Sequence, residues 1–195
     1  MELQKINVKI LTAEPNKVPL TDFINIFHGW IQATDGVYHD VADYSHMQAG
    51  PGIVLVTGDA NVSIDETGNR RGLLYSQKSN LSGSNLEKLS TVLRSALESC
   101  RRLEQEPALE GKLRFAGNDM EISVNDRLLA PNTRESFESV KSDLEGIAHE
   151  LFHGVRFTLV HNENPRNLFS VAIRAAEPFA LDQLIANVSA GAKNC

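Results

Sequence analysis

The sequence predicts an α+β fold: a single twisted, mostly antiparallel sheet of about seven or eight strands, with helices packed on one face. Three observations lead there. Several short segments alternate apolar and polar residues at the two-residue period of a half-buried strand. Longer segments place apolar residues three and four apart, as amphipathic helices do. A helix followed by antiparallel strands recurs three times without any residue-level repeat, which marks shared architecture rather than duplication.

The elements follow in order. "KINVKI" sets Ile6, Val8 and Ile10 on one face and Lys5, Asn7 and Lys9 on the other, a half-buried strand. Pro19 suits a first helical turn, and Phe23, Ile26, Phe27 and Trp30 form the stripe of the helix behind it. "GIVLVTG" is apolar throughout, as a strand covered on both faces would be. "NVSIDETGNRRGLLYS" reads as a hairpin turning at Thr67-Gly68-Asn69. Ser84 with Glu87 forms a capping-box pattern opening a helix with Leu86, Leu89, Leu93, Ala96, Leu97, Cys100 and Leu103 on one side. "KLRFAGNDMEISVND" reads as a second hairpin, turning at Gly117-Asn118-Asp119. Asn132 with Glu135 caps a third helix, which Gly154 closes. "VRFTLVHNENPRNLFSVAIRA" is a third hairpin, and a last helix starts at Pro178.

With 195 residues, 42% of them hydrophobic, the chain suits one globular domain over 1–195 with its last few residues loose. A net charge of −6 argues against nucleic acid, since the only adjacent basic pairs are Arg70-Arg71 and Arg101-Arg102. No apolar run reaches the roughly 20 residues that span a membrane, and the first residues lack the apolar block of a signal peptide. Cys100 sits in an apolar stripe and Cys195 at the terminus, a usage that fits a reducing cytoplasm.

One string looks like chemistry. His149, Glu150 and His153 have the His-Glu-x-x-His spacing by which zinc hydrolases hold their metal and activate its water. Against it, Phe137, Val140, Leu144, Ile147 and Leu151 form the core-facing stripe of the same helix. Both histidines then fall on the opposite, wet side with Ser142 and Glu145. A third ligand is also wanting: the metzincin position six residues on is Leu159, and His161, Glu163 and Glu177 are poorly placed.

A second constellation, His39, Asp40, Asp43, Tyr44 and His46, precedes the apolar strand in a segment read as a connecting loop. Such residues in a loop ordinarily solvate the chain and bond local backbone N–H groups; read as a site, Asp43 and His46 are expected in one concavity beside residues 53–57, as an acid/base or metal pair. The "AGPG" turn at 49–52 is expected to hold those side chains in fixed directions.

"DVADYSHMQAGPGIVLV", "RRGLLYSQK", "NDRLLAPNT" and "LFHGVRFTLV" resemble a family of uncharacterised bacterial proteins, mostly cyanobacterial and proteobacterial. That resemblance implies a compact α+β fold and no assigned activity, so it transfers no catalytic residues. There is no Gly-x-Ser-x-Gly elbow, phosphate-cradling loop or Cys-x-x-Cys pair. The sequence therefore points to a soluble, cytoplasmic binding or self-associating protein without a cofactor. The polar sheet face or the His39–His46 segment would meet a small molecule or a second copy. The alternative is a zinc hydrolase with His149 and His153 as ligands and Glu150 as base.

Overall fold

A computed structural model describes residues 1–13, 18–47 and 50–191. Its elements are β1 (Ile6–Thr12), α1 (Leu20–Ala33), β2 (Tyr38–Tyr44), β3 (Gly52–Thr57), β4 (Ala60–Asp65), β5 (Gly72–Gln77), α2 (Asn85–Glu104), β6 (Phe115–Val124), α3 (Arg134–Phe152), β7 (Phe157–His161), β8 (Phe169–Ala175) and α4 (Leu181–Gly191). The strands form one open sheet in the order β2-β3-β4-β5-β1-β6-β8-β7, and every neighbouring pair is antiparallel. This is the α+β architecture that strand and helix periodicities predict.

The apolar halves of the strands meet the helices. Ile6, Val8 and Ile10 of the central strand are sealed, as are Leu89, Leu93, Ala96, Leu97, Cys100 and Leu103 of α2. Helix α2 crosses β1 and β5, α1 lies over β2 and β3, and α3 over β7, while α4 packs against α2 and α3. Each fully buried leucine of that layer contributes about 2 kcal/mol. The capping box forms as the spacing predicts: the Ser84 hydroxyl accepts from the Glu87 amide at 3.3 Å, and the Glu87 carboxylate accepts from the Ser84 amide at 2.6 Å. Among the described residues no helix is long and apolar enough to cross a membrane.

Five local expectations are corrected. Residues 115–124 form one unbroken strand rather than a hairpin. Gly117 lies inside it because a Cβ there would sit 1.9 Å from the Phe179 carbonyl oxygen. Glycines mark close approach as well as turns, and sequence does not distinguish the two. The N-cap of α3 is Thr133, which accepts from the Ser136 amide at 3.2 Å, leaving Asn132 free for another task. At its other end His153 itself takes the left-handed conformation, with φ 42°, ahead of Gly154. Helix α4 begins at Leu181, three residues beyond Pro178. Residues 38–44, expected as loop, pair with β3 as an edge strand. Ala49 of the expected rigid turn, Cys195 and the last four residues lie outside the described residues.

A sixth difference matters most. Half-buried strands of this kind would leave the helix-free face solvated or covered by a partner subunit, yet Asn7, Lys9, Ser63, Asp65 and Ser170 on it are all buried within the one chain.

Candidate functional site: a polar cleft on the helix-free face

The pairing register lines up polar residues across five strands. Asn61, Ser76, Asn7, Ser123 and Ser170 stand side by side on β4, β5, β1, β6 and β8. The next row runs Ser63, Leu74, Lys9, Glu121 and Ala172. Since alternate residues of a strand share a face, this surface opposes the one bearing Ile6, Val8 and Ile10. Above it lies a cleft of about 480 Å³, within the range of small-molecule sites. Among the described residues no α-helix lines it.

Two turns from opposite ends of the strands make the walls. The β4–β5 turn stands at the Thr12 end of β1, where Leu11 pairs with Gly72. Asp65 anchors it, accepting from the Thr67 amide at 3.2 Å and, through its other oxygen, from the Thr67 hydroxyl at 2.8 Å. The β7–β8 connection stands at the Ile6 end, where Val124 pairs with both Ile6 and Phe169. Asn132 ties that connection down, its amide donating to the carbonyls of Asn162 at 2.7 Å and Asn164 at 2.8 Å. Its oxygen lies 2.8 Å from His161 Nε2, and the His161 ring stacks on Phe137 with centroids 5.1 Å apart. The residue read as a helix cap therefore fastens a wall of the cleft.

The floor holds a buried ion pair and an orphan. Lys9 Nζ donates to Asp65 Oδ1 at 2.5 Å and to the Thr67 carbonyl at 3.0 Å, which uses two of its three N–H groups. Asn7 is 7% exposed, and its Oδ1 is sealed without a donor; Asn61 Oδ1, in the same row, is likewise unpartnered. A buried acceptor left without a donor costs about 1–3 kcal/mol, so such atoms are rare without a purpose. Among the described residues the lining carries four cations, Lys9, Arg70, Arg127 and Arg166, against two carboxylates, Asp65 and Glu121. That balance is positive within a chain of net charge −6.

The residues singled out by sequence lie elsewhere. His39, Asp40, Asp43, Tyr44 and His46 are all exposed on or just beyond edge strand β2. Their carboxylates serve local turns: Asp40 accepts from the Val41 amide and Asp43 from the Ser45 amide, both at 2.8 Å. The Ser45 hydroxyl and amide hold Asp43 below the usual carboxylate range. None of the five lines the cleft. Being outermost, β2 has no further strand to wall those side chains in.

At the helix end, His149 is exposed and meets the Phe157 ring edge-on at 4.9 Å. The φ of 42° at His153 is roughly 105° from the helical value, so its Cβ is swung away from where an unbroken helix would aim it. Among the described residues no group of three or more His, Cys, Asp or Glu gathers as metal ligands do. Glu150 is half-buried with Oε2 sealed and unpartnered, and desolvation pushes its carboxyl above the usual range. A carboxyl that holds its proton more tightly when folded loses stability to the unfolded chain as pH rises through that interval. Glu150→Gln is therefore expected to raise the melting temperature at pH 7 and to leave it unchanged below about pH 3, where both states are protonated. A pH-independent difference between the two melting curves would refute this.

A second cavity of about 530 Å³ lies between α1 and the end of α2. There the polar ends are satisfied: Trp30 Nε1 donates to Glu106 at 3.1 Å, and Arg102 lies 4.0 Å over the Trp30 ring while donating to the Tyr38 hydroxyl at 2.8 Å. The cluster joins two helices to β2. Burial pushes the Cys100 thiol well above its usual range, the setting of an inert structural cysteine. In comparisons with known proteins, the chain matches no family model and no curated protein sequence.

Proposed function

We propose that this protein is a binding module whose polar, helix-free sheet face takes a small molecule in the cleft between the β4–β5 and β7–β8 turns. The observation that carries this reading is Asn7 Oδ1, an acceptor sealed from water and left without a donor among the cleft-lining residues. A fold with no use for that atom would gain by placing an apolar side chain there. The recess favours a small molecule over a second copy, because two recessed faces brought together touch mainly at their rims.

The test pairs stability with occupancy. Asn7→Leu, close in volume, is expected to stabilise the unliganded protein by about 1 kcal/mol, since it removes the orphan acceptor. In a ¹H–¹⁵N correlation spectrum, a mixture of small polar fragments is expected to shift the amides of residues 7, 9, 123 and 170, and the Asn7→Leu variant to lose those shifts. Destabilisation by Asn7→Leu, or fragment shifts confined to other surfaces, would overturn the reading.

A further inference from the structure

We infer that the cleft's ligand is a small organic anion, a carboxylate or phosphate, that also carries hydroxyl or amine donors. This rests on the cleft being a binding site, and it adds the chemistry. Arg127 and Arg166 stand together at the β7–β8 wall, exposed, and neither pairs with a carboxylate among the described residues. Arg127 Nη2 donates to the Arg166 carbonyl at 2.8 Å, which spends one donor of its guanidinium and orients the rest. Arginines so held suit an oxyanion, which a planar guanidinium can grip with two parallel N–H groups. At the far wall the positive charge is spent: Arg70 pairs with Asp119 at 2.5 Å, and Asp65 occupies Lys9. The free positive charge is thus concentrated at one end of the cleft.

The floor asks for the opposite chemistry. Glu121, beside Lys9 in the register, lines the cleft with a carboxylate, and Asn7 lines it too, its Oδ1 sealed and without a donor, so that a ligand reaches it only once the side-chain amide turns. Asp65 is fully engaged by Lys9 and Thr67, so it neither repels an anion nor needs a donor. A bare anion would satisfy the arginines and leave Asn7 orphaned beside Glu121, which pairs with no cation among the described residues. An uncharged polyol would satisfy the floor and leave the arginines idle. Only a molecule with both halves engages both ends.

A matched set of probes separates these cases: glycerol 3-phosphate, inorganic phosphate and glycerol, titrated at low ionic strength into ¹⁵N-labelled protein. Glycerol 3-phosphate is expected to shift the amides of residues 7, 9, 123, 127, 166 and 170 saturably, at least about tenfold more tightly than either half, as one charge-assisted bond supplies. Arg127→Gln with Arg166→Gln, both on exposed side chains, is expected to remove that advantage without moving the melting temperature. Added salt is expected to weaken binding. If glycerol matches or exceeds glycerol 3-phosphate at the same amides, the anion inference falls and the cleft remains a binding site. If phosphate alone matches it, the requirement for donors falls. If none of the three shifts those amides, the inference falls; the polar fragment mixture then decides whether the binding site falls with it.

Discussion

Asp65→Ala is expected to lower the unfolding free energy by about 3 kcal/mol, because it strands a buried ammonium. The Lys9 and Asp65 side chains are only 10% and 4% exposed, and Lys9 would be left with the Thr67 carbonyl alone. For a chain of this length the loss corresponds to a melting-temperature drop of about 6–12 °C. The same change unties the Thr67 amide and hydroxyl, so the β4–β5 wall should also show faster amide hydrogen exchange. Replacing both partners by apolar residues of similar size, Lys9→Met with Asp65→Leu, is expected to recover most of the stability. A cost below about 1 kcal/mol for Asp65→Ala would mean that the pair behaves as a solvated surface bridge.

Gly117→Ala is expected to cost about 3 kcal/mol, by forcing apart two segments that pack backbone to backbone. The added Cβ would fall 1.9 Å from the Phe179 carbonyl oxygen and 2.8 Å from its carbonyl carbon, atoms that no rotamer change can move. Phe179 also packs on Phe152, with ring centroids 5.3 Å apart, so displacing its backbone disturbs the packing of the segment before α4 on α3 as well. A matched control is Gly29→Ala on α1, where a Cβ meets nothing within 4 Å. There alanine is expected to stabilise by about 1 kcal/mol, through helix propensity. Chemical denaturation of the two variants should give opposite signs; equal effects would show that the close approach at Gly117 relaxes at little cost.

Both variants bear on what was legible in the sequence. The strands and helices with a clean period were readable: Ile6, Val8 and Ile10 at period two, the α2 leucines at helical spacing, and the Ser84–Glu87 box all fall where expected. Positions whose meaning depends on a distant segment were not. Gly117 looked like a turn because its partner, Phe179, lies 62 residues away in the chain. Asn132 looked like a cap because its partners, Asn162 and Asn164, belong to another hairpin. The histidines at 149 and 153 drew notice through spacing alone, and spacing cannot report that the backbone turns left-handed at the second of them.

The candidate site divides the same way. Local alternation determined that Asn7 and Lys9 face away from the helices, because adjacent side chains on a strand must point to opposite sides. It determined the α+β class and the helix-bearing face for the same reason. Only the tertiary structure decided that the other face is recessed rather than open. Strand order and register bring β5 and β6 beside β1, with β4 and β8 outside them, and two turns from opposite ends wall the cleft that Asn7 lines. Burial on that face is a property of five strands assembled together, which no single segment's periodicity encodes.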